Sequence, residues 1–304
     1  MNIHTFTPEV ELRREEFLTL KGEQSISVCI PCRNEEKTIG KIVEIIKSDL
    51  LDKNAYIDEL IVIDDRSEDL TAKIAEDNGA QIVHIDAINS IYGEAHGKGN
   101  ALWGSLLCSK GDIIVWVDGD LTTFEANWIT KLSLPLLINS EINLVKGFYE
   151  RTEETGGGGR TTELVARPLL SLYFPELAHL LQPLAGEYAG RREALTQINF
   201  LKGWGVEIGM LIDIERAFGI SSIAQVDLGV REHRHRPLSD LSEQSAEIIA
   251  AVHSRSPLPK SLPETDFSLR KPDGSIISLN VGERESINKL EVDAEQKLTG
   301  ETSY

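Results

Sequence analysis

Two aspartates separated by one glycine, Asp118-Gly119-Asp120, directly follow an apolar run, Ile113–Val117 (IIVWV). A carboxylate pair at a strand end can hold a hard divalent cation through oxygen. Mg²⁺ or Mn²⁺ bound this way usually shares its shell with substrate phosphates. The same three residues also suit a tight turn, because Asp-Gly is a favoured turn dipeptide, and the triplet alone does not separate the two readings. Its position favours the first. A strand apolar on both faces belongs in the centre of a covered sheet, and open α/β sheets take their ligands beyond the carboxyl ends of such strands.

Four further clusters invite chemistry. Arg231-Glu232-His233-Arg234-His235-Arg236 concentrates three Arg and two His, in a chain with only 7 His. Most charge runs are solvated loops. After a strand, this one is also placed to neutralise a diphosphate or a phosphorylated second substrate, and a neutral His233 imidazole could complete a metal shell. Gly156–Gly159 followed by Arg160 and Thr162 reads either as a flexible linker or as an anion cradle, in which backbone N–H groups and a guanidinium approach a phosphate. Gly97-Lys98-Gly99 is either a plain turn or a lysine presented to a phosphate, and its spacing excludes a Walker motif. Glu207, after Gly203-Trp204-Gly205, is either a first-turn helix charge or a buried carboxylate at a sugar site. Gly186-Glu187-Tyr188 carries equally little in isolation.

The elements that must position these residues alternate in the first half. Ile26–Pro31 reads as a strand, and Asn34 is expected to cap a helix with Ile39, Ile42, Val43, Ile46 and Leu50 as its buried stripe. Leu60–Asp64 is the next strand, Leu70–Asp77 a helix, Gln81–Ile85 a strand, Asn100–Ser109 a helix and Ile113–Val117 a strand. This rhythm implies an α/β layer with a mostly parallel sheet. Its ligand-facing residues would follow the strands: Arg33, Asn34 and Glu35; Asp64 and Asp65; Asp118 and Asp120. The second half is less regular. It contains a helix over Thr161–Leu172, which Pro168 would kink or end early. A helix over Val206–Phe218, a strand over Ile223–Val230 and a helix around Ser242–Val252 follow. A hairpin is expected around Pro272–Gly274, and a charged end from about Glu283.

Composition bounds the function. Lys plus Arg total 31 against 49 Asp plus Glu, a net charge of -18 over 304 residues. That balance lacks the basic footprint of a nucleic-acid binder and disfavours adhesion to an anionic membrane. Any anionic substrate must therefore meet a local positive site. No apolar run approaches the ~20 residues needed to span a bilayer. Met1–Glu23 has no apolar core of a signal peptide. Cys29, Cys32 and Cys108 are expected as reduced, buried thiols, so a cytoplasmic protein is expected.

Taken together, the segments resemble the glucosyl-3-phosphoglycerate synthases, a family of retaining, metal-dependent glycosyltransferases of GT-A fold. The resemblance runs from about residue 26 to 240. It is carried by Pro31–Glu36 (PCRNEE), Gly97-Lys98-Gly99, Asp118-Gly119-Asp120, Gly157–Leu170 (GGGRTTELVARPLL), Leu181–Ala189 (LQPLAGEYA), Gly205–Asp213 (GVEIGMLID), Ala224–Val230 (AQVDLGV) and Arg231–Leu238. Glu163–Leu170 is the most specific stretch. The resemblance implies a Rossmann-like, mostly parallel central sheet flanked by helices. It divides the chain into an N-terminal segment (1–25), a catalytic domain (26–240, its nucleotide half about 26–120 and its acceptor half about 121–240), and a C-terminal helix and arm (241–304) that could form a homodimer contact.

It also implies roles. Pro31, Arg33, Glu35 and Asp65 would contact the nucleotide of UDP-glucose or GDP-glucose, although Asp64–Ser67 reads DDRS where relatives often carry Asp-Ser-Gly-Ser. Lys98, Arg231, Arg236 and Glu207 would surround the diphosphate and sugar. Asp118, Asp120 and His233 would hold Mg²⁺ or Mn²⁺, with Asp120, Glu207 and His233 closest to the chemistry. Gly159, Arg160 and Thr162 would bind 3-phosphoglycerate, and His235 stands near the acceptor where relatives have Asn. A related clade transfers mannose. Polyprenyl-phosphate glycosyltransferases share the early motifs but would want a membrane-docking element. A sugar-nucleotide sensor without turnover would not need both the acidic pair and the basic loop.

Overall fold

The β-branched runs become strands, and their side-chain alternation divides the core in two. The structure, a computed structural model, describes residues 3–6, 13–150, 159–230, 238–256, 266–270, 276–280 and 282–289. The first half runs β1 (His4–Phe6), α1 (Arg14–Lys21), β2 (Ile26–Cys32), α2 (Ile39–Ile45), β3 (Glu59–Asp64), α3 (Thr71–Asp77), β4 (Gln81–His84), α4 (Ile85–Tyr92), α5 (Lys98–Cys108) and β5 (Ile113–Trp116). It continues through α6 (Asn127–Ile138), β6 (Leu144–Glu150), α7 (Arg167–Tyr173), β7 (Tyr188–Arg191), α8 (Arg192–Leu195), β8 (Phe200–Leu201) and α9 (Val206–Phe218). The last elements are β9 (Ile223–Val230), α10 (Leu238–Arg255), β10 (Asp266–Arg270), β11 (Ile276–Asn280) and β12 (Glu283–Arg284).

Eight strands form one sheet in the order β1-β9-β6-β7-β5-β2-β3-β4. All neighbours are parallel except β7, which runs antiparallel to both β5 and β6. Successive side chains on a strand point to opposite faces, and the core follows that rule. Cys29, Ile61, Ile63, Ile114 and Trp116 face the side covered by α4, α5 and α9. Val28, Ile30, Val62, Ile113 and Val115 face the side covered by α2 and α6. Both faces being covered explains why β5 reads as uninterrupted apolar sequence. His4–Phe6 joins the sheet edge through β9, and β12 pairs antiparallel with β8. The segments before residue 26 and after residue 240 are thus hydrogen-bonded into the same body. The expected hairpin is present, with β10 antiparallel to β11 across residues 271–275.

Several expectations change in detail. Asn34 is not a helix cap. It sits at φ 58, in the left-handed region that Asn tolerates, and Thr38 occupies the N-cap position of α2. The Asn34 side chain is used instead to accept a hydrogen bond from Glu68 N at 2.8 Å. α5 starts at Lys98 rather than Asn100, and β4 stops at His84 because Ile85 opens α4. Pro168 does not end its helix. Thr162–Ala166 forms a wide π turn directly before Pro168, a local distortion of the kind that accommodates a proline's missing N–H, so of the two expected outcomes the helix is disturbed rather than ended and α7 runs on to Tyr173. All three cysteines are free thiols, Cys29 and Cys32 buried. Among the described residues, no helix is long and apolar enough to cross a membrane.

Candidate active site

Parallel strands present their carboxyl ends side by side, and here that edge carries the acidic residues. Cys32 pairs with Asp64 at the ends of β2 and β3. The two following loops are laced together: Asn34 N donates to Ser67 Oγ (3.0 Å), Glu35 N to Thr71 Oγ1 (2.7 Å) and Leu70 N to Glu36 Oε2 (3.2 Å). Thr38 Oγ1, at the start of α2, donates to the Gly119 carbonyl at 2.6 Å. The turn after β5 is thereby fixed to the turn after β2. A cleft of about 290 Å³ opens between them, lined by Pro31, Arg33, Glu35, Asp65, Lys98, Asp118, Asp120 and Trp204 among others.

Lys98 is the centre of its charge pattern. Its Nζ lies 2.7 Å from Asp118 Oδ1 and 2.8 Å from Glu207 Oε1, and the Glu207 side chain is only 5% exposed. Residues 98 and 207 meet because of backbone contacts. Gly97 adopts φ 95 and sits against the Lys202–Gly203 backbone, a conformation and an approach that favour glycine. Gly99 N then donates to Gly203 O (3.3 Å) and Asn100 N to Lys202 O (2.8 Å). The first turn of α5 is docked on the loop that leads into α9, and Glu247 of α10 holds that loop by accepting from Trp204 N. Burial alone would lower the Lys98 pKa, but Asp118 and Glu207 hold it well above the ordinary lysine value. The ammonium therefore stays charged.

The cleft carries more negative than positive groups. Burial drives the Cys32 thiol pKa up, and the carboxylates of Glu35, Asp64, Asp118 and Asp120 push it further. So many carboxylates acting near one point, with Asp118 and Asp120 both lining the cleft, fit a hard divalent cation. Among the described residues, no three Asp, Glu, His or Cys groups converge as a complete ligand set. The expected third ligand, His233, lies outside them.

The comparisons with known proteins agree with this geometry. Residues 27–198 match the family model "Glycosyl transferase family 2". A glucosyl-3-phosphoglycerate synthase from Petrotoga mobilis is 47% identical over 249 residues, 79% of this chain and 77% of that one. The chain belongs to the glucosyl-3-phosphoglycerate synthases of glycosyl transferase family 2. Two crystal structures of the Mycobacterium tuberculosis family member match at 39% identity and TM-score 0.85, covering 95% of this chain and 99% of theirs. One holds Mg²⁺ and uridine diphosphate, and the other Mn²⁺, UDP-glucose and phosphoglyceric acid. The likeness extends the expected GT-A architecture over nearly the whole chain, and the protein is a glycosyltransferase.

Within this family frame the expected residues separate into three groups. Pro31, Arg33, Glu35, Asp65, Lys98, Asp118 and Asp120 line one cleft, and Glu207 reaches it through Lys98. Gly159, Arg160 and Thr162 do not line it. They open the helical segment after β6, with Thr162 buried and Gly159 at φ 86. That segment is tied to α10 by Thr161 Oγ1 donating to Gln244 Oε1 at 3.3 Å. Arg231, His233, His235 and Arg236 lie outside the described residues.

Sequence reading undervalued Gly186. A side chain there would collide with the Asp118 carboxylate. A glycine between two unremarkable segments gives no sign of such an approach until β7 is seen to run antiparallel beside β5. Arg66 is one of the residues by which Asp64–Ser67 departs from the Asp-Ser-Gly-Ser of relatives. It sits at φ 58, where glycine would be unstrained, and is held by Asp86 (2.6 Å) and Glu94 (2.8 Å).

Proposed function

We propose that this chain transfers glucose from UDP-glucose to the 2-hydroxyl of 3-phosphoglycerate with retention at the anomeric carbon, assisted by Mg²⁺ or Mn²⁺. The observation that carries the reading is the Asp118–Lys98–Glu207 chain of ion pairs, at the carboxyl end of a central strand and facing the Pro31–Glu35 loop. Its assignment to these substrates is supported by similarity to a relative that binds all three components. GDP-glucose remains the alternative donor for the same site.

The bond from C1 to the diphosphate breaks through an oxocarbenium-like transition state, and negative charge gathers on the departing oxygen. Asp118 and Asp120 would hold the cation, with His233 as the third ligand. When bound, the ion neutralises that charge as a Lewis acid. Lys98 adds a fixed ammonium at the same edge, already oriented by two carboxylates, so it needs little reorganisation during reaction. Arg160 and Thr162 would grip the phosphate and carboxylate of the acceptor, which reduces the orientational entropy of the encounter. Glu207 is engaged by Lys98 and buried, which favours same-face attack over attack by a Glu207 nucleophile. A diphosphate oxygen then takes the acceptor proton.

The test is product analysis. The protein is incubated with 3-phosphoglycerate and either UDP-glucose or GDP-glucose, with Mn²⁺, Mg²⁺ or chelator. The expected result is α-linked glucosyl-3-phosphoglycerate from UDP-glucose with either metal and none with chelator. No product, a β-linked product, or undiminished turnover in chelator would refute the proposal.

A further inference from the structure

Lys146, on β6, is only 2% exposed and lies near enough to Glu207, Lys98 and Asp118 to feel their charges. The mechanism above does not use it. Burying a lysine head group is costly unless its N–H groups find hydrogen-bond partners. The structure shows what occupies it. Nζ donates to the Ala185 carbonyl at 2.5 Å and lies 4.1 Å from the centre of the Tyr188 ring. Lys146 and Tyr188 stand directly opposite each other across β6 and β7, and Tyr188 stands opposite Trp116 of β5. The two rings are 5.1 Å apart. One cross-strand row, Lys146–Tyr188–Trp116, thus lies under the strand end that leads to Asp118. Gly147 N donates to Glu187 O at 2.8 Å, which fixes the far side of the same turn.

The residue after Ala185 is Gly186, whose backbone is packed against the Asp118 carboxylate. Lys146 Nζ is therefore bonded to the segment that sets where Asp118 can sit. The residue is a hydrogen-bond donor rather than an apolar side chain because Ala185 is buried and its C=O needs a partner.

We propose that Lys146 is a positioning residue for the cation and diphosphate end of the site: its bond to Ala185 C=O holds Ala185-Gly186 against Asp118 and so sets the carboxylate for its ligand. The role asks no contact of Lys146 with substrate or ion. This inference rests on the reading of Asp118 as a cation ligand, and the experiment separates the two.

Mn²⁺ binding is measured directly, by electron paramagnetic resonance of the free ion in the presence of UDP, for wild type, K146M, K146R and D118N. Melting temperatures are recorded in parallel. K146M keeps the apolar stem and removes the donor. Groups that hold a metal-ligating side chain in place typically contribute roughly 10–100-fold to affinity. K146M is expected to weaken Mn²⁺ binding about ten-fold, to raise the Mn²⁺ concentration for half-maximal turnover in parallel, and to leave the 3-phosphoglycerate KM unchanged. K146R, which retains a donor, is expected to recover part of the loss.

If D118N weakens binding and a folded K146M does not, the positioning role is refuted and the cation reading stands. If D118N itself leaves Mn²⁺ binding intact, the cation reading fails. Should K146M not fold, K146R is compared with wild type at matched stability. An altered Mn²⁺ affinity with unchanged acceptor KM supports the role, and an unaltered one overturns it.

Discussion

Replacing Gly186 by Ala adds one methyl group, and the structure fixes where it goes. An ideally placed Cβ would stand 2.0 Å from Asp118 Oδ2, 2.3 Å from Cγ and 2.4 Å from Oδ1. Unbonded carbon and oxygen settle at roughly 3.5 Å, so the carboxylate must retreat by more than about 1 Å or the turn must open by as much. Either movement strains the 2.7 Å bond between Asp118 and Lys98. A misplacement of about 1 Å commonly costs roughly 100-fold in rate, equivalent to about 2.7 kcal/mol in barrier height. We expect G186A to fold, to lose about 100-fold in kcat, and to need more Mn²⁺ than wild type. The assay is glucosyl transfer to 3-phosphoglycerate under saturating substrates, with a melting curve to show that the fold survives. A kcat within three-fold of wild type, in a protein of unchanged melting temperature, would show that Asp118 is not held as tightly as its surroundings imply, or that its placement does not matter.

Asp120→Ala should reduce turnover roughly 1000-fold or more, the scale of the several kcal/mol a catalytic cation supplies; equal activity of the variant with and without chelator, at the wild-type rate, contradicts this. Arg160→Ala should raise the acceptor KM far more than the donor KM, since it would remove the proposed bidentate contact to phosphate or carboxylate, and initial-rate kinetics with each substrate varied decide it. The last prediction concerns pH. Burial pulls the Lys146 ammonium down to about 7, against the opposing pull of Glu207. In the unfolded chain a lysine titrates near 10.4. Between about pH 7 and pH 10.4 the unfolded state binds more protons, so this residue's contribution to stability rises with pH across that window. Relative to K146M, wild type should gain up to about 1.4 kcal/mol per pH unit between about pH 7.5 and 9 in urea denaturation, and a difference independent of pH contradicts the burial argument.

Local signals gave the parallel half of the fold and the acidic triplet. IIVWV is apolar at every position because both faces of β5 are covered, and Asp118 follows it because that edge faces the cleft. Val206–Phe218 was legible to the residue because its apolar row has helical period. What failed was tertiary. Asn34 has the composition of a cap and is used instead to bind the neighbouring loop. His4–Phe6 is too short to read as a strand and exists through its pairing with β9. Lys98 and Glu207 are 109 positions apart, and nothing in either segment announces the backbone docking of α5 on the Lys202–Gly203 loop that unites them. Gly186 and Lys146 matter only because an antiparallel strand, β7, interrupts a parallel sheet beside β5. Period and spacing do not encode that reversal.

The charge pattern explains how a chain of net charge -18 can be built for two anionic substrates. At physiological ionic strength, exposed charges are screened beyond about 8 Å, so most of the acidic surface is not felt inside the cleft. What a diphosphate meets is set by the nearest groups, and these do not cancel. Lys98 is shared by Asp118 and Glu207, one ammonium against two carboxylates, and Asp120 adds a third beside them. A diphosphate entering alone would face that surplus at short range and low dielectric, where repulsion is strong. A divalent cation reverses the local sign while leaving Lys98 where its two carboxylates hold it. Among the described residues the cleft thus carries an acidic surplus that a divalent cation would offset, and Lys98 supplies a buried ammonium already held in place by two of those carboxylates.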